Sequence, residues 1–376
     1  MLARAENDLQ LEKQADYRRF TLSGNHYEMG RRWARILTHQ DSEPVTDEEV
    51  AEAAQLLGVS VEDLATLATT PGEVEEQVLS ASQLSFALDC LQVVSNFHPA
   101  LLDEFEGWAD GLGVSMDSLL STLSFGMKDR SPGGSAFAWQ TGEAVIVGRN
   151  YDFSPRSRIR HLIRAEPVAY YATIGMNDGL LGGRHDGVNE EGLFVALNRV
   201  SAPEPKKPEP GVVSHLVPRI LLETCANAGE AVMLVGEMPH LMSYSYIVAD
   251  PDEMFVVEAD PGSVRVREAE DGFVASTNHF LHPEMQSSTP STLQVDSERR
   301  LSKITSALKE ATADTDPWQL ATGILTAHDA AICGHGDDWG TLWSMVADLT
   351  NRRLTYSLGA PCRNEYEEVP WPEKRC

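Results

Sequence analysis

The fold of this chain is decided by residues 133–153, which read Gly-Gly-Ser-Ala-Phe-Ala-Trp-Gln-Thr-Gly-Glu-Ala-Val-Ile-Val-Gly-Arg-Asn-Tyr-Asp-Phe. Two short apolar runs flank the polar pair Thr141-Gly142, a pattern typical of a β-hairpin. The second run ends in a polar cluster that contains Arg149, Asn150 and Asp152. Opposite charges at the end of a strand mark a place where a reacting group can lie, so this hairpin is the first candidate for a functional site.

Length and composition limit the number of domains, the class of protein and the kinds of partner. The chain has 376 residues, enough for one large domain or two of ordinary size. Its hydrophobic content of 42% and charged content of 23% are those of a globular protein. The net charge of −27 repels phosphate backbones and anionic membranes. We therefore expect no nucleic-acid partner and no membrane partner, and the sequence leaves a homo-oligomer open.

The N-terminus and the cysteines bear on location. Residues 1–20 alternate charged and apolar side chains and lack the apolar core of a signal peptide. No run approaches the roughly 20 apolar residues that a membrane span needs. The five cysteines are scattered and form no Cys-x-x-Cys pair, which fits a reducing compartment. The sequence predicts a cytoplasmic protein.

The order of elements predicts an α+β fold. Residues 20–133 are mainly helical in pattern, with helices expected over 27–37, 46–57, 60–69, 72–95 and 100–112 and another starting at Ser115. From 134 onward strands are expected at 167–174, 192–197, 243–249, 253–258, 263–267, 272–276, 342–347 and 353–358. Further helices are expected over 213–226, 228–236, 296–311 and 317–327. The proline-rich stretch 202–210 is predicted to be a surface loop within one domain.

The hairpin resembles a family motif. In the isopenicillin-N acyltransferase-like N-terminal-nucleophile hydrolases and their bile-salt-hydrolase relatives, a Gly-Cys-Thr/Ser-x-Phe-Ala strand leads through a hairpin to Gly-Arg/Gln-Asn-x-Asp. Further matches are Thr277-Asn-His-Phe280, Ser297-x-x-Arg300, Asn189-Glu-x-Gly-Leu-x-x-Ala-x-Asn198, Cys333-x-His335 and Gly359-Ala-Pro-Cys362. On this pattern Gly134 occupies the position of the nucleophilic cysteine.

The resemblance implies an architecture. It predicts an αββα four-layer sandwich, with residues 1–133 as a helical prosegment and 134–376 as the hydrolase core of one integrated unit. Self-cleavage in the family frees the α-amine of the nucleophile, which then serves as general base. The cleavage site would be the Gly133–Gly134 bond, and we expect that bond to be intact here because the nucleophile is missing.

The resemblance also assigns site residues. Asp152 would hold the α-amine, and Arg149 would be the strand-end arginine of the bile-salt-hydrolase relatives. Asn278 would donate to the oxyanion, Asn198 would be a second oxyanion donor, and Arg300 would be the arginine of the Ser-x-x-Arg match. The alternatives are an exposed loop position for Asp152, a surface ion pair for Arg149, turn-forming roles for Asn278 and Asn198, and a solvated charge run for Arg300. Arg299 lies next to Arg300 in the sequence, so the match could also shift by one residue.

Other chemistries have weaker support. Ser135 is one step from the nucleophile position, but alternation along a strand directs its hydroxyl to the opposite face. His279-x-x-His282 lacks the HExxH arrangement. No phosphate-binding loop or dinucleotide motif is present, so neither a metal nor a cofactor is predicted.

Two functions follow from these observations. The first is an amide hydrolase or acyltransferase that acts through an acyl-enzyme on a small amide or thioester, in a form that Gly134 inactivates. The second is a natural pseudoenzyme, or a repurposed fold, that binds an acylated small molecule without covalent catalysis.

Overall fold

The computed structural model describes residues 9–38, 80–122, 133–200, 208–286, 292–336 and 338–373. In these ranges the helices are α1 His26–Leu37, α2 Ala81–Phe97, α3 Ala100–Leu112, α4 Met116–Thr122, α5 Leu216–Thr224, α6 Ala228–Glu237, α7 Thr292–Lys309 and α8 Pro317–Leu325. The strands are β1 Arg19–Gly24, β2 Gly133–Gln140, β3 Val145–Phe153, β4 His161–Pro167, β5 Thr173–Asn177, β6 Asp186–Asn189, β7 Phe194–Arg199, β8 Tyr244–Ala249, β9 Met254–Asp260, β10 Ser263–Glu268, β11 Phe273–Ser276, β12 Gly340–Asp348, β13 Arg353–Ser357 and β14 Glu367–Val369.

The strands form two sheets. One has eight strands in the order β1-β4-β5-β6-β7-β8-β9-β10, and the other has six in the order β11-β2-β3-β12-β13-β14. The predicted hairpin is the β2–β3 pair, which occupies the second and third places in the six-stranded sheet. Strand β1 runs parallel to β4, whereas β4 and β5 pair in the antiparallel direction. The candidate site therefore begins on inner strands.

Successive side chains of β2 point to opposite faces of the sheet, and each face borders a different core. Ala136 and Ala138 face a core that the two sheets share, whereas Phe137 and Trp139 face a second core with side chains of α7 and α8. A third core joins the outer face of the eight-stranded sheet to helices α1, α2, α3, α5 and α6. The order is helices, sheet, sheet, helices, which is the predicted αββα sandwich.

Some local predictions are corrected. The strand predicted at 167–174 is wrong, because β4 ends at Pro167 and β5 begins only at Thr173. Ala169 between them has a φ of 67°, a left-handed conformation that turns the chain. Strand β1 was not predicted, since its neighbour β4 is more than a hundred residues away and gives no local signal. The helices predicted over 46–57 and 60–69, and the start of the one over 72–95, lie outside the described residues.

The capping signal at the start of α1 is confirmed. The Asn25 side chain accepts a hydrogen bond from the Glu28 amide at 2.9 Å, and the Glu28 carboxylate accepts one from the Asn25 amide at 3.2 Å. These two reciprocal bonds form a capping box. None of the helices in the described part of the chain combines the length and apolarity needed to cross a bilayer.

A buried charge network ties the first part of the chain to the rest. Arg219 of α5 donates to Glu104 of α3 at 2.8 Å and to Glu223 on its own helix. Glu223 also contacts His26 of α1 and His98, each at 2.9 Å. The guanidinium of Arg219 and hydrogen bonds from both histidines hold the pKa of Glu223 well below its usual value, although burial alone would raise it.

We expect Arg219→Met to destabilise the fold by about 3–5 kcal/mol, because it leaves two carboxylates buried without their cation. Chemical denaturation measures the free energy of unfolding. The matched control is Lys303→Met, which removes an exposed ion pair with Asp329 and should change stability little. Equal effects of the two substitutions would contradict the structural role of the network.

Candidate functional site

Gly134 lies near the start of β2, directly opposite Tyr151 of β3. Its amide donates to Asn278 Oδ1 at 3.3 Å, and its carbonyl oxygen accepts from Arg300 Nη1 at 2.5 Å. A Cβ atom built on Gly134 would lie 2.3 Å from Arg149 Nη1 and 2.7 Å from Asn198 Oδ1. The structure thus brings four of the predicted site residues around the expected nucleophile position.

Arg149 and Asn198 meet between the two sheets. Arg149 on β3 donates to Asn198 Oδ1 on β7, and its Nε lies 3.7 Å from Asp186 Oδ2 on β6. Asn198 in turn donates to the Ser276 carbonyl oxygen at 3.1 Å. Burial lowers the pKa of Arg149, and the charge of Asp186 opposes that effect. Neither residue is a surface group, so the surface ion pair considered for Arg149 is wrong.

Arg300 and Asn278 approach Gly134 from the side of α7. Arg300 Nη2 donates to Asn278 Oδ1 at 2.6 Å, and Nη1 donates to Ser135 Oγ at 3.0 Å. One proton of Asn278 Nδ2 is donated to the Arg199 carbonyl oxygen at 2.8 Å. A primary amide has two such protons, and the second has no acceptor among the residues that the structure describes, so it can be donated to a ligand. Burial lowers the pKa of Arg300, opposed chiefly by the charge of Asp152.

Arg299 and Arg300 are neighbours in the sequence but occupy different environments in the structure. The Arg299 side chain is 57% exposed, pairs with Asp296 and donates to the Asp329 carbonyl oxygen. Arg300 is buried and contacts Gly134. Of the two, Arg300 is therefore the one that lies at the expected nucleophile position.

Asp152 is buried opposite Gly133 in the β2–β3 register. Its Oδ1 accepts from Thr341 Oγ1 at 2.7 Å, and its Oδ2 has no hydrogen-bond partner among the described residues. Burial raises the pKa of Asp152, and the charges of Arg300 and Arg149 oppose the rise. A buried carboxylate oxygen with a free lone pair suits a cationic or hydrogen-bond donor group of a ligand or of the chain. The exposed loop position considered for Asp152 is excluded.

Three functional neighbours were not singled out from the sequence. Thr341 orients Asp152, Asp186 faces Arg149, and the Trp339 indole lies where a Cβ on Gly133 would be, 1.9 Å from that point. Asp186 lies three residues before the Asn189–Asn198 match and is not part of it. Thr341 and Trp339 offered no signal in the sequence, because they reach the site only through the pairing of β12 with β3.

A cavity of about 490 Å³ is lined by His279 and Leu301, which follow Asn278 and Arg300 in the chain, although neither Asn278 nor Arg300 lines it. Its lining is Val200, His279, Phe280, Leu281, Met285, Gln286, Gln294, Glu298, Leu301, Ser302 and Thr305. This volume falls in the range of small-molecule sites, and apolar side chains meet a few polar groups there. The arrangement can hold a small molecule that has an apolar part and a hydrogen-bonding head.

Comparison with known proteins gives a family model and several structures. The model described as acyl-coenzyme A:6-aminopenicillanic acid acyl-transferase matches residues 139–363, more than half of the chain. The match begins five residues after Gly134 and includes the other predicted site residues. No curated protein matched the chain in sequence.

Solved structures give more distant similarities. An N-acylethanolamine-hydrolyzing acid amidase ortholog from Caenorhabditis elegans is 17% identical, covering 57% of this chain and 93% of its own, with a TM-score of 0.43. A mutant conjugated bile acid hydrolase from Clostridium perfringens is 13% identical, covering 63% and 97%, with a TM-score of 0.40. Penicillin V acylase from Agrobacterium tumefaciens is 13% identical, covering 60% and 82%, with a TM-score of 0.41.

We expect Gly134→Ala to destabilise the protein by about 1–3 kcal/mol, the usual cost of overfilling a packed interior. The added methyl group would meet the Asn150 carbonyl oxygen at 2.6 Å as well as the Arg149–Asn198 pair. The matched control is Gly142→Ala in the hairpin turn, where a Cβ meets nothing within 4 Å. Thermal unfolding of both variants measures the difference, and equal stabilities would show that the space around Gly134 is open.

Proposed function

Because the chain belongs to the acyl-coenzyme A:6-aminopenicillanic acid acyl-transferase family, we propose that its site binds a small acylated molecule, an amide or a thioester, and does so here without forming an acyl-enzyme. The family comprises N-terminal-nucleophile hydrolases and acyltransferases. The proposal keeps the family's substrate class and removes its covalent step.

One observation carries the proposal: the space of the missing side chain is filled. A cysteine at position 134 would project toward Arg149 Nη1 and Asn198 Oδ1, which already pair with each other. Covalent catalysis of this type needs a nucleophile beside a general base. Ser135 does not supply one, because its hydroxyl is engaged by Arg300 on the other face of β2.

In this proposal the prosegment stays covalently attached to the core. Strand β2 includes both Gly133 and Gly134 in one continuous ladder with β3. We propose that residues 1–133 are the prosegment, that 134–376 form the core, and that the bond between them is intact. Without cleavage no α-amine is freed at 134, so the general base is missing as well as the nucleophile.

The bound molecule would lie in the 490 Å³ cavity. Asn278 and Arg300 do not line this cavity, so the carbonyl oxygen of the bound molecule would have to reach past His279 to accept the remaining proton of Asn278 Nδ2. Its acyl part would pack on Phe280, Leu281 and Met285, which line the cavity. The polar contact sets the orientation, and the apolar contacts supply most of the affinity.

A second function is favoured by a separate observation. Arg149, Asn278 and Arg300 lie around Gly134 and Asp152 lies opposite Gly133, which supports a hydrolase that carries a cysteine at position 134. In that case the cysteine thiolate would attack the amide or thioester carbonyl, and Asn278 would stabilise the oxyanion. The acyl group would then pass to water or to an amine.

We further propose a cytoplasmic location and no nucleic-acid partner. The cysteines of the described residues are free thiols, as is usual in a reducing compartment. The net charge of −27 opposes association with nucleic-acid phosphates.

The intact mass of the chain and of Gly134→Cys tests which function holds. We expect both to remain whole, because the Arg149–Asn198 pair and the Asn150 carbonyl oxygen occupy the space that the thiol needs. Denaturing mass spectrometry reads the masses, with Gly142→Cys as the control for an added thiol. Cleavage between 133 and 134 in Gly134→Cys alone would contradict the proposal and establish the second function.

Binding itself is tested by calorimetric titration with simple N-acyl amides of increasing acyl length. We expect the affinity to rise with acyl length and Met285→Ala to weaken it, by about 1.5 kcal/mol or roughly tenfold in Kd. The control is Met233→Ala, since that side chain is 67% exposed on α6. Absence of binding by the unmodified chain, or equal effects of both substitutions, would overturn the assignment of the cavity.

A further inference from the structure

Four side chains with the chemistry of zinc ligands meet beside the candidate site. They are His328, Cys333, His335 and Cys362, and their ligand atoms all lie within 4.8 Å of one another. Cys333 is buried, whereas the two histidines reach the surface. Both sulfurs are free thiols. We propose that these four residues form a tetrahedral Cys₂His₂ zinc site, which neither the family nor the proposed function assigns.

The distances fit a zinc ion. Tetrahedral Zn–S bonds of about 2.3 Å and Zn–N bonds of about 2.0–2.1 Å place neighbouring ligand atoms roughly 3.4–3.8 Å apart. His335 Nε2 lies 3.5 Å from Cys333 Sγ and 3.1 Å from Cys362 Sγ. His328 completes the group, and its ring centroid is 5.3 Å from that of His335. Two thiolates and two imidazoles at these separations select zinc over the oxygen-preferring cations.

Tight turns hold the ligands in place. The Cys333 amide donates to the Ala327 carbonyl oxygen at 2.9 Å, and Ala331 between them adopts a left-handed φ of 54°. Such a backbone conformation is costly for alanine and persists only where its surroundings fix it. On the other side, the amide of Arg363 donates to the Ala360 carbonyl oxygen at 3.0 Å, which fixes the turn that presents Cys362. Both ligand-bearing loops are therefore preformed.

Charge and protons balance in the proposed site. Zinc displaces the thiol protons of Cys333 and Cys362, which pass to solvent, and two thiolates neutralise the ion. Arg363 Nη2 lies 2.9 Å from His335 Nδ1, so the neutral ring carries its proton on Nε2. Coordination through Nε2 moves that proton to Nδ1 and turns the Arg363 guanidinium away.

A second group of potential metal ligands among the described residues is not suited to bind a metal ion. His26, His98 and Glu223 also have ligand atoms within 4.8 Å of one another. However, the guanidinium of Arg219 already binds the Glu223 carboxylate and would repel a metal ion. This cluster belongs to the buried charge network described above.

The proposed zinc site is connected to Asp152. The Gly334 amide, between two of the ligands, donates to Thr341 Oγ1 at 2.9 Å, and Thr341 Oγ1 donates to Asp152. The Ile332 carbonyl oxygen accepts from Asn150 Nδ2 at 2.9 Å. A zinc ion would therefore brace the loop that positions Asp152, and its role is structural.

The experiment uses the full chain without a histidine tag, purified without chelators from zinc-supplemented medium. Elemental analysis should find about one zinc ion per chain. After zinc removal, titration with Co²⁺ should produce the visible bands of tetrahedral cobalt and the near-ultraviolet bands of thiolate coordination, saturating at one equivalent. Zinc removal should also lower the thermal unfolding midpoint.

Substitutions of the proposed ligands test which residues bind the zinc ion. Cys362→Ala and His335→Ala should each lose most of the bound zinc and the thiolate–cobalt bands, or shift them. Cys90→Ala removes a cysteine of α2 that is buried in the core on the outer face of the eight-stranded sheet, and should keep the full metal content. The cobalt titration of the unmodified chain does not depend on whether a variant folds.

Three results would overturn the proposal. One is a metal content near zero with no cobalt bands in the unmodified chain. Another is full zinc retention by both Cys362→Ala and His335→Ala. The third is a Cys333–Cys362 disulfide in peptide maps of protein purified under reducing conditions.

Discussion

The site depends on the mutual neutralisation of two arginines and two aspartates that are buried around Gly134. Arg149 faces Asp186 between the sheets, and Arg300 faces Asp152 on the side of α7. Burial destabilises each of these charges, and an opposite charge nearby offsets the cost only while every partner stays in place. Arg149 therefore joins the two sheets, Arg300 joins α7 to β2, and Gly134 is fixed between them.

This constraint explains what glycine does at position 134. A side chain there would need the space of the Arg149–Asn198 pair, which the neutralisation of Asp186 holds in position. Moving Arg149 aside would leave Asp186 with hydrogen bonds from Trp343 and Tyr356 but without its cation. Restoring a nucleophile would thus require the buried charge network to rearrange, whereas the proposed binding function needs no such rearrangement.

The sequence predicted the parts that depend on neighbours along the chain. The β2–β3 hairpin and the Asn25–Glu28 capping box are set by turn and capping residues a few positions apart. The site residues were identified through a resemblance, and the structure brings them together. Thr341 as the partner of Asp152 and the grouping of Cys362 with Cys333 could not be predicted, because they arise from strand pairing and loop packing across tens of residues or more.

Retention of Asp152 does not by itself argue for retained catalysis. The carboxylate accepts from Thr341, Thr341 accepts from the Gly334 amide, and Gly334 lies between Cys333 and His335. Replacing Asp152 would disturb the loop that carries the proposed zinc ligands, even in a chain that forms no acyl-enzyme. Arg300 has a similar second role, since it ties α7 to the carbonyl of Gly134 and to Ser135. The same residues that a hydrolase would use for chemistry are therefore also required for packing, so their presence does not distinguish a hydrolase from a binding protein.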